Sequence, residues 1–380
     1  MTVPTASLPL PPGPVGLPLV GSALHFIGPF GRNPHAVLTR LAGTYGPVMS
    51  FRPGMAGDFV AVVLNVVSGI LFSEDVVGMR VRGGLPFEDL VAAVHADWSR
   101  PNVSDAFPFL APLDLLGARR RVSRAVARLY EFLDDEFIER WLAGGENHSR
   151  GDLLDVVLAR HAKAELTRSE MTKFFTDIFL ATSNTSRITV EWAMALLLKH
   201  QDKMEKVQAE LAASLGSKDF VEERDLDKLP YLRAVVKETL RLQPPAPLLP
   251  RMVVADGVSL GGFSVPTGTC ILVNLWAIGR DPAVWPRPEE FVPERFLGDE
   301  AADFRGMDFA YKPFGAGRRM CPGLDFATRP VPLLLASILH KVEWRLPDGM
   351  APEDVDLTDR YSMVLELATP LRAVPVASTP

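Results

Sequence analysis

Hydrophobic residues recur along most of this chain at helical spacing, and the exceptions are short. Val122, Val126, Leu129 and Leu133 fall three or four apart, so residues 120–142 are predicted as an amphipathic helix and 152–158 as another. The stretch 171–199, with Phe174, Phe175, Ile178, Phe179 and Leu180 together, reads as a long helix buried on nearly every side. Residues 231–242 form a further helix, which Pro244 and Pro245 stop. Strand-like runs rich in β-branched residues occupy 49–51, 59–66, 252–258 and 269–275, with Pro53, Gly54, Gly257, Gly261, Gly262 and Gly268 as turn residues. The 59–66 run equally suits the start of a helix. Residues 215–228 read as a polar connection. Residues 281–317 read as largely irregular, punctuated by Pro282, Pro286, Pro288, Pro293 and Pro313. A last helix is expected to start just after Cys321 and run towards Trp344, interrupted at Pro330 and Pro332. No internal repeat shows. The pattern predicts a mainly α fold with small β-sheets.

Composition narrows the partners. Of 380 residues, 47% are apolar and 23% charged, the balance of a soluble globular protein. The formal net charge of -6 argues against a broadly basic nucleic-acid surface, and Arg119, Arg120 and Arg121 read as a solvated helix face. Two cysteines, Cys270 and Cys321, are too few for a disulfide framework, and neither a CxxC pair nor an HExxH arrangement is present. Residues 1–15, with Pro11, Pro12, Gly13 and Pro14, read as a stiff lead-in, without a signal-peptide pattern or a membrane-spanning apolar run. One domain over 1–380 is expected.

The most informative segment is 314–323, Phe-Gly-Ala-Gly-Arg-Arg-Met-Cys-Pro-Gly. Here Cys321 follows a glycine-rich loop and precedes a predicted helix, a setting that favours a thiolate. Gly315 and Gly317 permit positive φ and close approach of backbone to a flat ligand, and Arg319 suits an anionic group. The alternative is a structural cysteine beside a turn. Phe314, Gly317, Arg319, Cys321 and Gly323 match F-x-x-G-x-R-x-C-x-G at every fixed position, and in this the chain resembles the cytochrome P-450 family of haem-thiolate monooxygenases. The resemblance implies the fold of that family, haem (iron protoporphyrin IX) as cofactor, and Cys321 as the ligand of its iron.

Further motifs extend the resemblance over nearly the whole chain. Glu238 and Arg241 lie three apart on one helix face, and Arg295 stands in Pro293-Glu-Arg-Phe296. In the family these places form a buried charged triad beneath the haem loop. Arg251 matches a position that meets a haem propionate. The run 181–186, Ala-Thr-Ser-Asn-Thr-Ser, resembles the oxygen-activation segment A/G-G-x-D/E-T-T/S, which assigns proton delivery to Thr185 and Asn184. Thr182 stands where glycine is expected and Asn184 where an acid is, and an amide has no titratable proton. Residues 11–14, 45–47, 190–192, 274–282 and 307–313 resemble the plant microsomal branch, in particular its terpenoid hydroxylases.

Two departures shape the expectation. The apolar anchor that precedes the proline hinge in that branch is not found, nor are several early helices, including one bearing W-x-x-x-R, so an internal deletion is expected near residues 60–65. Trp276 and Arg280 fit that string by chance, at a different place in the family pattern. The resemblance implies insertion of one oxygen atom from O2 into a small apolar, terpenoid-like substrate, with an apolar pocket to which Phe174 and Phe179 contribute. Electrons would come from a separate NADPH-dependent flavoprotein reductase, since no nucleotide-binding glycine motif is present. The setting it implies is the cytosolic face of the endoplasmic reticulum membrane. The alternative is a truncated relic of the family that binds haem poorly or not at all.

Overall fold

The longest helix begins at a capping box. Thr167 Oγ1 accepts from the Glu170 backbone N–H at 3.2 Å, and Glu170 Oε2 accepts from the Thr167 N–H at 2.8 Å, closing the first turn reciprocally. The computed structural model describes residues 57–98, 108–139, 142, 150–260, 262–298, 302–305, 308–361 and 364–377. The proline lead-in at 1–15, the strand at 49–51 and the 45–47 motif lie outside them. The chain divides into two compact units. The first is Met1–Arg187 with Lys341–Asp348 and Pro370–Pro380, and the second is Ile188–His340 with Gly349–Thr369.

In the first unit, helices α1 (Gly57–Phe72), α2 (Phe87–Trp98), α3 (Ala118–Leu133), α4 (Leu153–Ala162) and the opening of α5 (Arg168–Lys199) follow one another. The 59–66 run is helical rather than extended, and the expected break at 60–65 lies within α1. Apolar runs do not distinguish helix from strand by periodicity; here the 16-residue length of the element marks a helix. Val63, Leu64, Val67 and Leu71 make the buried stripe of α1, at helical spacing. The helix predicted to reach 142 ends at Leu133, and a π-helical turn, Asp134–Glu139, follows. Arg168 bridges Asp134 and Glu139 across that turn, at 2.6 and 3.1 Å. Asp152 caps α4 by accepting from the Asp155 N–H.

An aromatic core organises this unit. The Phe72 ring stacks on Phe137 at 4.0 Å and meets Phe175 edge-on at 4.9 Å, while Phe87 lies 4.9 Å from Phe132 and 5.2 Å from Phe179. Phe179 is therefore core rather than a pocket wall, and Phe174 on the neighbouring face is largely exposed. Helix α5 is buried all round only from Ser186 to Leu198. Its first half shows Lys173, Phe174, Asp177 and Ala181 to solvent, so burial on nearly every side holds for the second half alone.

The second unit takes the rest of α5, then α6 (Gln201–Leu215), α7 (Pro230–Leu242) and α10 (Pro330–Leu339), with the one-turn helices α8 (Leu275–Ile278) and α9 (Leu324–Ala327). Pro230 opens α7, where its missing N–H costs nothing. Glu210 of α6 caps the next two residues, accepting from the Tyr231 and Leu232 N–H groups at 2.7 and 2.9 Å.

The sheets are two-stranded and antiparallel. β1 (Leu248–Met252) pairs with β4 (Cys270–Asn274), and β2 (Ser259–Leu260) with β3 (Phe263–Ser264). In the same way β5 (Val342–Arg345) pairs with β8 (Val374–Ala377), and β6 (Asp359–Tyr361) with β7 (Leu365–Leu367). The strand expected at 252–258 lies upstream and includes Pro250, opposite Leu272. A two-stranded ribbon has free edges, where a residue without an N–H is tolerated. Trp192 Nε1 donates to Leu365 O at 2.9 Å and ties α5 to β7 within this unit. The architecture is mainly helical with small sheets, as the hydrophobic pattern predicts.

Candidate functional site

The loop that carries Cys321 is shaped by glycines and closed by backbone hydrogen bonds. Gly315 and Gly317 take φ of 73° and 72°, where a side chain would be strained. The Cys321 N–H donates to Phe314 O at 2.9 Å and the Met320 N–H to Gly317 O at 3.1 Å. The loop thereby turns back on itself and presents an exposed thiol. A Cβ on Gly315 would press on Arg251 Nη2 and Leu249 Cδ1, each 3.4 Å away, and one on Gly323 would lie 3.7 Å from the Cys321 sulfur. Phe314 is anchored edge-on against Phe304 at 5.3 Å. The helix expected directly after Cys321 is the single turn α9. It breaks before Pro330, which begins α10, because that ring cannot continue a helix from the preceding turn.

A haem fits this donor set. The exposed sulfur suits iron, the glycines leave a floor without side chains, and the guanidinium groups of Arg251 and Arg319 suit propionates. Arg251 donates to Pro250 O at 2.9 Å, and among the described residues neither arginine enters an ion pair.

The structure also brings Glu238, Arg241 and Arg295 together. Glu238 and Arg241 sit one turn apart on α7, and Arg295 arrives on the short helical turn Pro293–Phe296. Arg241 Nε lies 2.7 Å from Glu238 Oε2, and Arg295 Nε 3.2 Å from Oε1, with side-chain exposures of 0%, 0% and 9% for Glu238, Arg241 and Arg295. The Val292 N–H also donates to Glu238 Oε1, at 2.8 Å. Arg241 spends its remaining donors on the carbonyls of Gly279, Pro288 and Glu290, at 2.5, 2.7 and 3.0 Å. Arg295 does the same with Pro286 and Arg287. One carboxylate and two guanidinium groups thus fasten the irregular 279–295 segment to α7, and full satisfaction is what makes buried charge tolerable. Trp285, Phe296 and Tyr311 pack beside them, and burial pushes the Tyr311 hydroxyl well up while it donates to Lys237 O at 2.8 Å.

Trp276 and Arg280 stack on each other, with the guanidinium 4.0 Å from the ring centroid. Arg280 also holds Glu289 at 3.1 Å and Leu242 O at 2.5 Å, so its donors are engaged within the fold. Sequence reading passed over Gly279 and the backbone partners of the triad. The only signal for Gly279 is a glycine in a helical turn where alanine is the better former.

On α5, in the first unit, Thr182 Oγ1 donates to Ile178 O at 2.7 Å and Thr185 Oγ1 to Ala181 O at 2.8 Å. Thr182, Asn184 and Thr185 are half-buried, and Ser183 is buried with a hydroxyl that has no partner among the described residues. Among the described residues, the cluster with metal-ligand spacing is Asp134, Asp135 and Glu139, of which Asp134 and Glu139 already pair with Arg168. No helix among the described residues is long and apolar enough to cross a membrane.

Comparison with known proteins identifies the family. The sequence profile of the cytochrome P450 family matches residues 55–371. Oryzalexin E synthase of Oryza sativa subsp. japonica is 44% identical over 326 residues, 83% of this chain and 64% of that protein. Geraniol 8-hydroxylase of Catharanthus roseus is 43% identical over 317 residues, 82% of this chain and 64% of that protein. The chain thus spans 64% of the length of either relative. A zebrafish cytochrome P450 solved with progesterone superposes with a TM-score of 0.68 at 28% identity, covering 85% of this chain and 71% of that one. From the profile match and these relatives, the chain belongs to the cytochrome P450 family, whose cofactor is haem.

Proposed function

We propose that this protein serves haem-dependent monooxygenation of a small apolar substrate of the terpenoid kind. The observation that carries the reading is the exposed Cys321 thiol on its glycine loop. The overall change is RH + O2 + 2 electrons + 2 protons → ROH + H2O. The electrons come from NADPH through a flavoprotein reductase. When bound, the haem supplies the redox chemistry that reduces dioxygen, and a thiolate ligand favours O–O cleavage.

The chain's own residues have distinct tasks in this reading. Cys321 binds the iron as thiolate, and Arg251 and Arg319 hold the propionates. Glu238, Arg241 and Arg295 keep the supporting segment fastened to α7. Thr185 passes a proton through its hydroxyl, while Asn184 orients water without supplying a proton of its own. Geraniol 8-hydroxylase carries a terpenoid alcohol in its name, and that likeness supports the substrate class. The setting that follows is the cytosolic face of the endoplasmic reticulum.

The competing reading, a relic that does not turn over, draws on Thr182 and Asn184 in the oxygen segment. A carbon monoxide difference spectrum of the reduced, haem-loaded chain decides between them. Monooxygenation requires a strongly red-shifted Soret band that Cys321→Ser abolishes and Cys270→Ser leaves intact. A band typical of a neutral ligand, or no haem uptake, overturns it in favour of the relic.

A further inference from the structure

His95 is a buried side chain with no part in the function proposed above, yet it contacts the turn on which that function depends. It sits near the end of α2 at 6% exposure. Its ring nitrogens face carbonyl oxygens of two helices. Nδ1 lies 2.9 Å from Val91 O, one turn back on α2, and Nε2 lies 2.8 Å from Leu180 O on α5. In the helical ladder, Leu180 O is also the acceptor for the backbone N–H of Asn184. A carbonyl has two lone pairs and takes both donors. The hydroxyls of Thr182 and Thr185 crowd the neighbouring carbonyls of Ile178 and Ala181, but those are bonds within α5. Such back-bonding tends to bend a helix, whereas His95 reaches in from another element.

We propose that His95 is a positioning residue whose Nε2–H ties the Leu180 carbonyl, and with it the turn bearing Asn184 and Thr185, to α2. A lone pair facing a carbonyl oxygen at this distance is repulsive, so Nδ1 and Nε2 compete for a proton that a neutral ring carries only once, and the clamp requires that Nε2 carries one. Phe87 against Phe179 sets the spacing of the two helices, at 5.2 Å between ring centroids. An apolar contact is non-directional, so it leaves rotation and sliding undetermined. The hydrogen bond is directional and fixes them at the turn where proton transfer is assigned. Its catalytic consequence rests on the function proposed above; the clamp itself does not.

The test uses the full chain and needs no haem. Ring 15N spectra of the histidine-labelled protein, with His95 assigned by its loss in His95→Gln, read which nitrogen carries the proton. A protonated Nε2 supports the clamp, and a lone pair on Nε2 overturns it. Hydrogen exchange then compares residues 181–187 with 188–198 in His95→Phe and His95→Gln. His95→Phe should speed exchange in the first span about three- to tenfold, the factor one net hydrogen bond carries, and leave the second unchanged. His95→Gln keeps an N–H donor and should restore most of the protection. No acceleration, or equal acceleration in both spans, overturns the proposal and leaves His95 as packing. If His95→Phe does not fold, the 15N spectra and the exchange of His95→Gln still decide. A sound clamp beside a failed carbon monoxide spectrum would sink the proposed function alone.

Discussion

Arg241 and Glu238 hold each other through two hydrogen bonds, Nε to Oε2 at 2.7 Å and Nη2 to Oε1 at 2.8 Å, with neither side chain exposed. The pair is also the junction through which the 279–295 segment is attached. Arg241→Met leaves Glu238 buried with only Arg295 and one backbone N–H, and strips a donor from three carbonyls. The expected loss is about 3–5 kcal/mol of unfolding free energy, measured by urea denaturation. A loss below about 1 kcal/mol, the range of exposed pairs, would mean that water reaches the pair.

Two glycines with opposite surroundings give opposite expectations. A methyl group on Gly279 would overlap the Arg241 carbonyl oxygen, so Gly279→Ala forces the α7 end and the 279–295 segment apart. About 1–3 kcal/mol of destabilisation follows. Gly69, inside α1, has nothing within 4 Å of the added methyl, and Gly69→Ala should stabilise by about 0.5–1 kcal/mol. Thermal melts of the two variants against the parent separate these signs.

Glu294 gives an acid-limb prediction. Burial alone would raise its pKa, but hydrogen bonds from Lys206, its own backbone and Lys203 outweigh it and hold the carboxyl down at about 2, from an ordinary 4.5. A folded-state value below the unfolded one gives stability that is complete above pH 4.5 and lost as pH falls through about 2. Glu294→Gln should therefore be less stable than the parent at pH 6, and the two should converge only as pH falls to about 2. Parallel curves across that window in denaturant midpoints would show that Glu294 is not the titrating group.

Arg319 within the cysteine loop and Arg251 beside it have no ion-pair partner among the described residues. Replacing either with Ala should leave the haem-free chain as stable as before, yet weaken haem retention by about tenfold, roughly one charge-assisted hydrogen bond. Haem transfer to an excess of apomyoglobin measures it. Equal transfer rates in parent and variants would remove both residues from the propionate role.

Asn184→Asp restores an acid to the oxygen segment. Under the proposed function it should raise product formed per NADPH consumed, with peroxide release falling in step. A general acid contributes about 10²-fold at the low end, so an unchanged ratio would show that protons arrive by another route.

Features carried by adjacent positions were legible along the chain. The glycine spacing around Cys321, the three-residue step from Glu238 to Arg241 and the helix break at Pro330 act on the local backbone, and local backbone needs no distant partner. The sheet-poor helical class followed in the same way from apolar periodicity. What stayed hidden was set by residues far apart in the chain. Arg241 meets the Gly279 and Glu290 carbonyls across 38 and 49 positions, and His95 reaches Leu180 across 85. The burial of Phe179 in an aromatic cluster and the exposure of Phe174 were equally unreadable, because which stripe of an apolar helix is covered depends on what packs against it. Periodicity could not say whether 59–66 was helix or strand, and the length of α1 in the folded chain decided it. Sequence pattern specifies conformations that neighbours along the chain can enforce, while pairings between distant groups exist only once the tertiary fold has removed the competing water.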